Sequence, residues 1–215
     1  MVDFNFNINS IFPQEINSVR NDLIPGGGSQ AGTGHAAITR RQVATVLDVM
    51  GEASARAQGL KNPITSGSKM LNAEDQTAYI LVDRFGNNGL GSVVGLLKVG
   101  RKKLFLLDEV GNHNEMLPMC VLDFYVVENR QRSGCGKRLF EFMLRNEGVE
   151  PRYLAIDRPS PKLISFLQKH YGLVRTIPQI NNYVIFSGFF KNQPQVEASL
   201  APKKARIYMG KLQFV

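Results

Sequence analysis

Apolar and polar positions along the chain change their period twice. From about Thr39 to Gln58, Val43, Val46, Leu47 and Met50 recur at helical spacing, which predicts an amphipathic helix closed by Gly59. Between 79 and 127 the runs become short and apolar. Tyr79–Asp83 and Val93–Val99 predict a hairpin around a Gly86–Gly91 turn, Leu104–Leu107 a third strand, and Cys120–Val127 a nearly all-apolar central strand. Helical spacing then returns. Leu139, Phe140, Met143 and Leu144 mark one helix; Leu163, Phe166, Leu167 and His170 mark a second, opened by Ser160-Pro161 and closed by Gly172. Tyr153–Asp157 is a short buried strand between them, and Tyr183–Phe186 a late one. Near the start, Phe4, Phe6, Ile8, Ile11 and Phe12 predict a strand turning at Pro13, whereas residues 60–75 read as loop. Gly26–Gly34 reads as a flexible loop and 191–215 as a basic, flexible tail. Antiparallel strands followed by strand–helix–strand–helix–strand predict an α+β domain over residues 1–190, a mixed central β-sheet flanked by helices.

Composition narrows the classes. A chain of 215 residues, 43% hydrophobic and 20% charged, suits one globular domain. No run of about 18 apolar residues predicts a membrane span, and Met1-Val-Asp-Phe-Asn-Phe-Asn has neither the basic nor the apolar stretch of a secretion signal. Two cysteines, Cys120 and Cys135, make no disulfide framework and point to a reduced, cytoplasmic setting. His35, His113 and His170 show no metal-ligand spacing with them, so no metal is expected. The net charge of +8 favours an acidic partner. Zinc-finger spacing and RNA-binding aromatic signatures are missing, which argues against nucleic acid.

The chemistry concentrates at Gln131-Arg132-Ser133-Gly134-Cys135-Gly136, between the central strand and a helix. Glycines let the backbone approach a ligand without a Cβ in the way, and the helix N-terminus offers free N–H groups to an anion. Arg132, Lys137 and Arg138 add charge. A P-loop is excluded because Arg138 follows Gly136-Lys137 and Gln131 stands where the first glycine is needed. A dinucleotide fingerprint is excluded by Leu139 in its last glycine position. The remaining match, Gln/Arg-x-x-Gly-x-Gly/Ala, resembles the acetyl-CoA motif of the GNAT superfamily of N-acetyltransferases. Further blocks narrow this: Leu122–Tyr125, Leu154–Ser160, Lys169–Tyr171, Pro178–Phe186 and Gly188–Phe190 follow in order. Phe12-Pro13, Ala53–Gln58, Pro63–Ser66 and Val99–Phe105 agree as well. Over residues 1–190 the chain is similar to the catalytic domain of the alpha-tubulin N-acetyltransferase family, departing from it at the Gly-rich loop 26–34 and at Ser133 and Cys135.

That resemblance implies the GNAT fold and transfer of acetyl from acetyl-CoA to a lysine of alpha-tubulin facing the microtubule lumen. It implies a monomer acting at cytoplasmic microtubules, including those of cilia or axons. A free lysine is neutral only about one time in 10³ at pH 7, so a base or water relay is needed beside the thioester. By the resemblance Asp157, Cys120 and Gln58 are the catalytic positions: Asp157 as base, Cys120 as a second proton carrier or as an element of shape. Read without it, Asp157 pairs with Arg158 or caps a helix, Cys120 is a small buried residue, and Gln58 is a solvated helix end. Asp123, by strand alternation, points to the face opposite Cys120 and is structural. Phe124, Tyr125, Val126 and Val127 are expected to pair with the pantetheine amides, and Gln131, Arg132, Ser133, Gly134, Cys135, Gly136 and Lys137 to hold the pyrophosphate. Ser160, Lys162 and Lys169 are expected at the adenosine end. Lys98, Arg101, Lys102, Lys103 and Arg158 form a basic surface toward acidic tubulin. Two alternatives remain: a lysine acetyltransferase of this fold acting on other proteins, and a non-catalytic module binding acetyl-CoA and microtubules.

Overall fold

The structure, a computed structural model, describes residues 1–27 and 33–191. The centre of the Gly-rich loop and the tail from 192 lie outside the described residues. In chain order the elements are α1 (Ile8–Ile11), β1 (Ile16–Val19), α2 (Thr33–Gln58), α3 (Gly67–Leu71), β2 (Gln76–Asp83), β3 (Ser92–Arg101), β4 (Leu104–Leu107) and β5 (His113–Met116). They continue as β6 (Met119–Val126), α4 (Cys135–Glu147), β7 (Ala155–Asp157), α5 (Pro161–Tyr171), β8 (Thr176–Ile177) and β9 (Tyr183–Phe186). Seven strands form one sheet in the order β1-β2-β3-β6-β7-β9-β8, and β4 pairs only with β5 in a separate ribbon. Every neighbouring pair in the main sheet is antiparallel except β6 and β7. The expected α+β mixed sheet is therefore present.

Four expectations need correcting. Two of the apolar marks before Pro13, Ile8 and Ile11, are helical, not extended: Asn7 caps α1 by accepting from the Ser10 N–H, and Ile8 and Ile11, one turn apart, are buried. Helix α2 starts six residues earlier than periodicity indicates; Ala36 and Ala37, strong helix formers, carry it through an exposed stretch that has no apolar face to read. The supposed loop 60–75 contains α3, capped by Ser66, whose side chain accepts from the Lys69 N–H. The third strand, β4, leaves the main sheet for the ribbon.

Adjacent residues on β6 sort the two layers, because neighbouring side chains on a strand face opposite ways. Phe124 packs with Phe140 of α4 and Phe166 of α5. Asp123 meets Ser54 of α2. Helices α4 and α5 thus cover one face and α2 the other. A smaller cluster holding Leu106, Cys120, Leu122, Ala155, Ile185 and Phe189 seats the ribbon on the sheet.

Candidate functional site: the two sides of a bulged central strand

One side of the site is backbone. Parallel pairing between β6 and β7 lasts only two positions, Cys120↔Ala155 and Val121↔Ile156. Strand β7 ends at Asp157 while β6 runs on to Val126, so the far half of this β6 edge, Phe124 to Val127, has no neighbouring strand among the described residues. Such an edge offers N–H and C=O groups to an extended, amide-bearing ligand. The turn at its end is anchored by Gln131, whose Nε2 donates to the Val126 carbonyl at 2.8 Å, and by Ser133, whose Oγ donates to the Arg130 carbonyl at 2.6 Å. Gly134 takes the N-cap position of α4 at φ 85°, with no side-chain cap, and nothing stands within 4 Å of where its Cβ would be. Open space and uncapped N–H groups together suit a phosphate.

The charged groups there are unequally free. Arg138 pairs with Glu15, and Lys137 lies 3.6 Å from Glu141. Arg132, at φ 62°, is exposed. Cys135 begins α4 and is buried; desolvation opposes ionisation, but Ser133 Oγ at 3.2 Å and Arg138 Nη2 at 3.5 Å outweigh it and pull the thiol below its usual value. Ser160 is engaged as the N-cap of α5, accepting from Leu163, and Lys162 and Lys169 are exposed on that helix. Tyr171, at the end of α5 against Phe140 and Phe166, has a buried hydroxyl with no partner among the described residues. A buried orphan of this kind leaves a hydrogen bond for a bound molecule to make.

The other side is made of side chains. An open cavity of about 400 Å³ is lined by Ile64, Gln76, Lys98, Lys102, Lys103, Leu104, Leu122, Asp157 and Tyr183. Asp157 is half hidden and paired with Arg158 at 3.1 Å, as the residue pair alone allows. Arg158 reaches this position at φ 39°, its N–H held by the Asn182 carbonyl. Tyr183 faces Asp157 across the β7–β9 pair. Burial, aided by the Asp157 carboxylate, pushes its phenol up to about 12. Cys120 is fully buried, its thiol directed at the Pro118 carbonyl, and burial pushes it up to about 12. It stays a protonated thiol at neutral pH.

Three expected positions change. Lys98 belongs to the floor of the cavity and not to an exposed basic surface: it is 4% exposed, with Nζ donating to the Ile64 carbonyl at 2.8 Å. Burial lowers its amine to about 8. Lys102, half-buried, and Lys103, paired with Glu115, stand at the rim. Gln58, exposed at the end of α2, is not among the cavity's lining residues; its Nε2 reaches Ser54 Oγ at 2.8 Å and Asp123 Oδ1 at 3.3 Å. Asp123 is the largest change. Pairing steps from Lys98↔Asp123 to Val99↔Val121, leaving Leu122 as an extra residue on β6. Lys98 and Gly100 share a face of β3, and their partners are Asp123 and Cys120. The bulge therefore puts Asp123 on the same face as Cys120, against the simple alternation rule.

Asp123 and Tyr183 carry no short motif that would single them out. The one available signal was a carboxylate inside an apolar strand, since such a group is buried only with partners. Among the described residues no three His, Cys, Asp or Glu side chains converge as a metal would require.

Among models of known families, the one described as GNAT acetyltransferase, Mec-17, matches residues 4–213. The chain is 46% identical over 203 residues to Alpha-tubulin N-acetyltransferase 1 of Danio rerio, covering 94% of this chain and 67% of that one. It is 48% identical over 198 residues to the Alpha-tubulin N-acetyltransferase of Trichoplax adhaerens, with coverages of 88% and 82%. With that of Aedes aegypti it shares 44% identity over 192 residues, with coverages of 89% and 70%.

Proposed function

Because the chain belongs to the Mec-17 family of GNAT acetyltransferases, we propose that it transfers acetyl from acetyl-CoA to a lysine side chain of alpha-tubulin in microtubules. The observation that carries this reading is the division of labour at β6, with an open strand edge and uncapped turn on one side and a carboxylate-bearing cavity on the other.

The residues fit the cosubstrate. Phe124–Val127 offer backbone groups to its amide chain, and Gln131–Lys137 surround its pyrophosphate with N–H groups and positive charge. Lys162 and Lys169 are placed to meet further phosphate, while Ser160 acts on α5 itself. Acetyl-CoA supplies the activated acyl group.

In the cavity, Asp157 takes the proton of the incoming ammonium, directly or through one water; the freed amine attacks the thioester carbonyl, the C–S bond breaks, and the departing CoA thiolate takes up the second proton that the acylated nitrogen releases. The ion pair with Arg158 holds the Asp157 carboxylate in one orientation. Cys120 does not line the cavity but packs in the buried cluster with its lining residue Leu122, where it acts as a neutral S–H and by its bulk, since a thiol at about 12 supplies no thiolate at neutral pH. Lys102, Lys103 and Arg158 give the rim positive charge for the acidic surface of tubulin. The enzyme works as a monomer on cytoplasmic microtubules, with a luminal lysine as the acceptor.

The test is labelling of assembled microtubules by the purified protein with acetyl-CoA, wild type beside Asp157→Asn. Acetylation of an alpha-tubulin lysine by wild type alone is expected. Unlabelled alpha-tubulin beside a well-labelled second protein would overturn the acceptor, and undiminished labelling by Asp157→Asn would overturn the role of Asp157.

A further inference from the structure

Asp123 gathers more of the acceptor side than any residue assigned a chemical role. It is 3% exposed. Its Oδ1 accepts from Ser54 Oγ at 2.6 Å and Gln58 Nε2 at 3.3 Å, and its Oδ2 accepts from Thr65 Oγ1 at 2.6 Å. Ser54 and Gln58 belong to the last turn and a half of α2; Thr65 lies in the segment entering α3. Across the sheet Asp123 faces Lys98, whose ammonium holds the Ile64 carbonyl, and both Ile64 and Lys98 line the cavity. One carboxylate thus fastens the Gln58 end of α2, the Ile64–Thr65 wall and the Lys98 floor to the strand that carries Cys120.

The backbone is shaped to permit this. A Cβ on Gly51 would stand 1.9 Å from the Thr65 carbonyl oxygen, and one on Gly67 2.6 Å from Ala44 Cβ. Helix α2 and the 65–67 segment touch at glycines, and Asp48 takes the Gly67 N–H at 2.9 Å. A packing role alone would be met by an apolar residue. A buried carboxylate costs free energy unless each oxygen is satisfied, and both are.

We propose that Asp123 is a positioning residue for the acceptor amine: it fixes Gln58 and the cavity wall, and its negative charge holds Lys98 as a cation in the floor of the cavity. A cation there disfavours a second ammonium close by, and so favours the neutral form of an incoming lysine. The charged groups facing Lys98 are Asp123 on β6, Asp157 on β7, Lys69 on α3 and Lys102 after β3; the two carboxylates hold its proton and the two lysines oppose it.

This inference rests on the acetyltransfer proposed above, and its test keeps the two apart. Asp123→Asn keeps the shape and removes the charge. It is expected to lower kcat/KM for the acceptor about 10- to 100-fold, the scale of a misplaced substrate, and to leave acetyl-CoA affinity unchanged. The limb of its pH profile set by Lys98 moves to lower pH, because the neighbour that holds the proton has gone. Combined with Gln58→Ala, the losses are expected to be less than additive. Ser54→Ala and Thr65→Val each remove one donor and keep the charge. They are expected to lower kcat/KM with the pH profile in place, and they serve as the test should Asp123→Asn not fold. Titration of Lys98 by NMR requires no acceptor: its midpoint falls in Asp123→Asn even if microtubules prove to be the wrong substrate. Variants that lose thermal stability while kinetics and the Lys98 midpoint stay fixed would reduce Asp123 to packing and overturn the proposal.

Discussion

The two sides of β6 are built by different means. The donor side is contiguous: strand edge, turn and α4 N-terminus all fall between 119 and 147, and most of what they offer is main chain. The acceptor side is assembled from α2, the entry to α3, β3, the bulge of β6, β7 and β9. Its hydrogen bonds join residues 69, 58 and 34 positions apart. A backbone site tolerates changes of side chain, as Ser133 and Cys135 at variable turn positions illustrate. A site of side chains held by side chains has no such slack, so substitutions on the two sides are expected to separate donor binding from acceptor turnover.

The largest separation is expected from Asp157→Asn. Turnover falls by about 10²- to 10⁴-fold, the usual worth of a general base, while calorimetry finds acetyl-CoA affinity retained. Equal loss of both would mean that the two sides are not independent. Next is Gly51→Ala, whose methyl group overlaps the Thr65 carbonyl. It is expected to cost about 1–3 kcal/mol of stability through overpacking, read as a lower Tm, and to weaken the acceptor rate with little change in the KM for acetyl-CoA. The donor-side counterpart is Gly134→Ala. A left-handed φ at a residue with a Cβ costs about 1 kcal/mol, roughly a fivefold rise in the KM for acetyl-CoA, with acceptor KM unmoved.

A smaller effect sharpens the electrostatic contrast. Lys98 titrates at about 8 in the folded protein against 10.5 as a free side chain. Between these values the unfolded chain binds the extra proton, so this group makes stability rise with pH from about 8 upward. Lys98→Met is expected to lose that rise between pH 8 and 9, measured by denaturant unfolding. A slope identical to wild type would mean that Lys98 is not desolvated. On the donor side the matching probe is Cys135. Its lowered thiol is expected to alkylate ahead of Cys120, and bound CoA to protect it, as peptide mass spectrometry would show.

The same contrast decided what the sequence made legible. Glycine spacing between an apolar strand and an amphipathic helix located the donor turn, since each part of it lies next to the others in the chain. Ser160-Pro161 and Gly172 marked the ends of α5 for the same local reason. The acceptor side was hidden where local rules are overridden. Alternation assigned Asp123 to the wrong face because one extra residue resets the count. Lys98 read as a surface charge because the run Lys98 to Lys103 crosses the edge of the cavity, and nothing in the run shows where the interior ends. Helix α3, five residues long, depends on a Ser66 cap and on the Asp48 contact from α2, which no period can display. Strands β5 and β8 are short and half exposed, and their pairing partners alone define them.

The bulge at Leu122 has a consequence for how the site tolerates change. Its information is held in a count of residues rather than in an identity. An apolar residue of similar size at 122 preserves the count and the packing under the ribbon, so that position has some latitude in side chain and almost none in length. Deleting it would turn Asp123 toward α4 and α5, stranding a carboxylate among Phe124, Phe140 and Phe166, or else turn Cys120 out of the cluster that seats the ribbon. In either case each residue of the site would still be present, and the site would be lost.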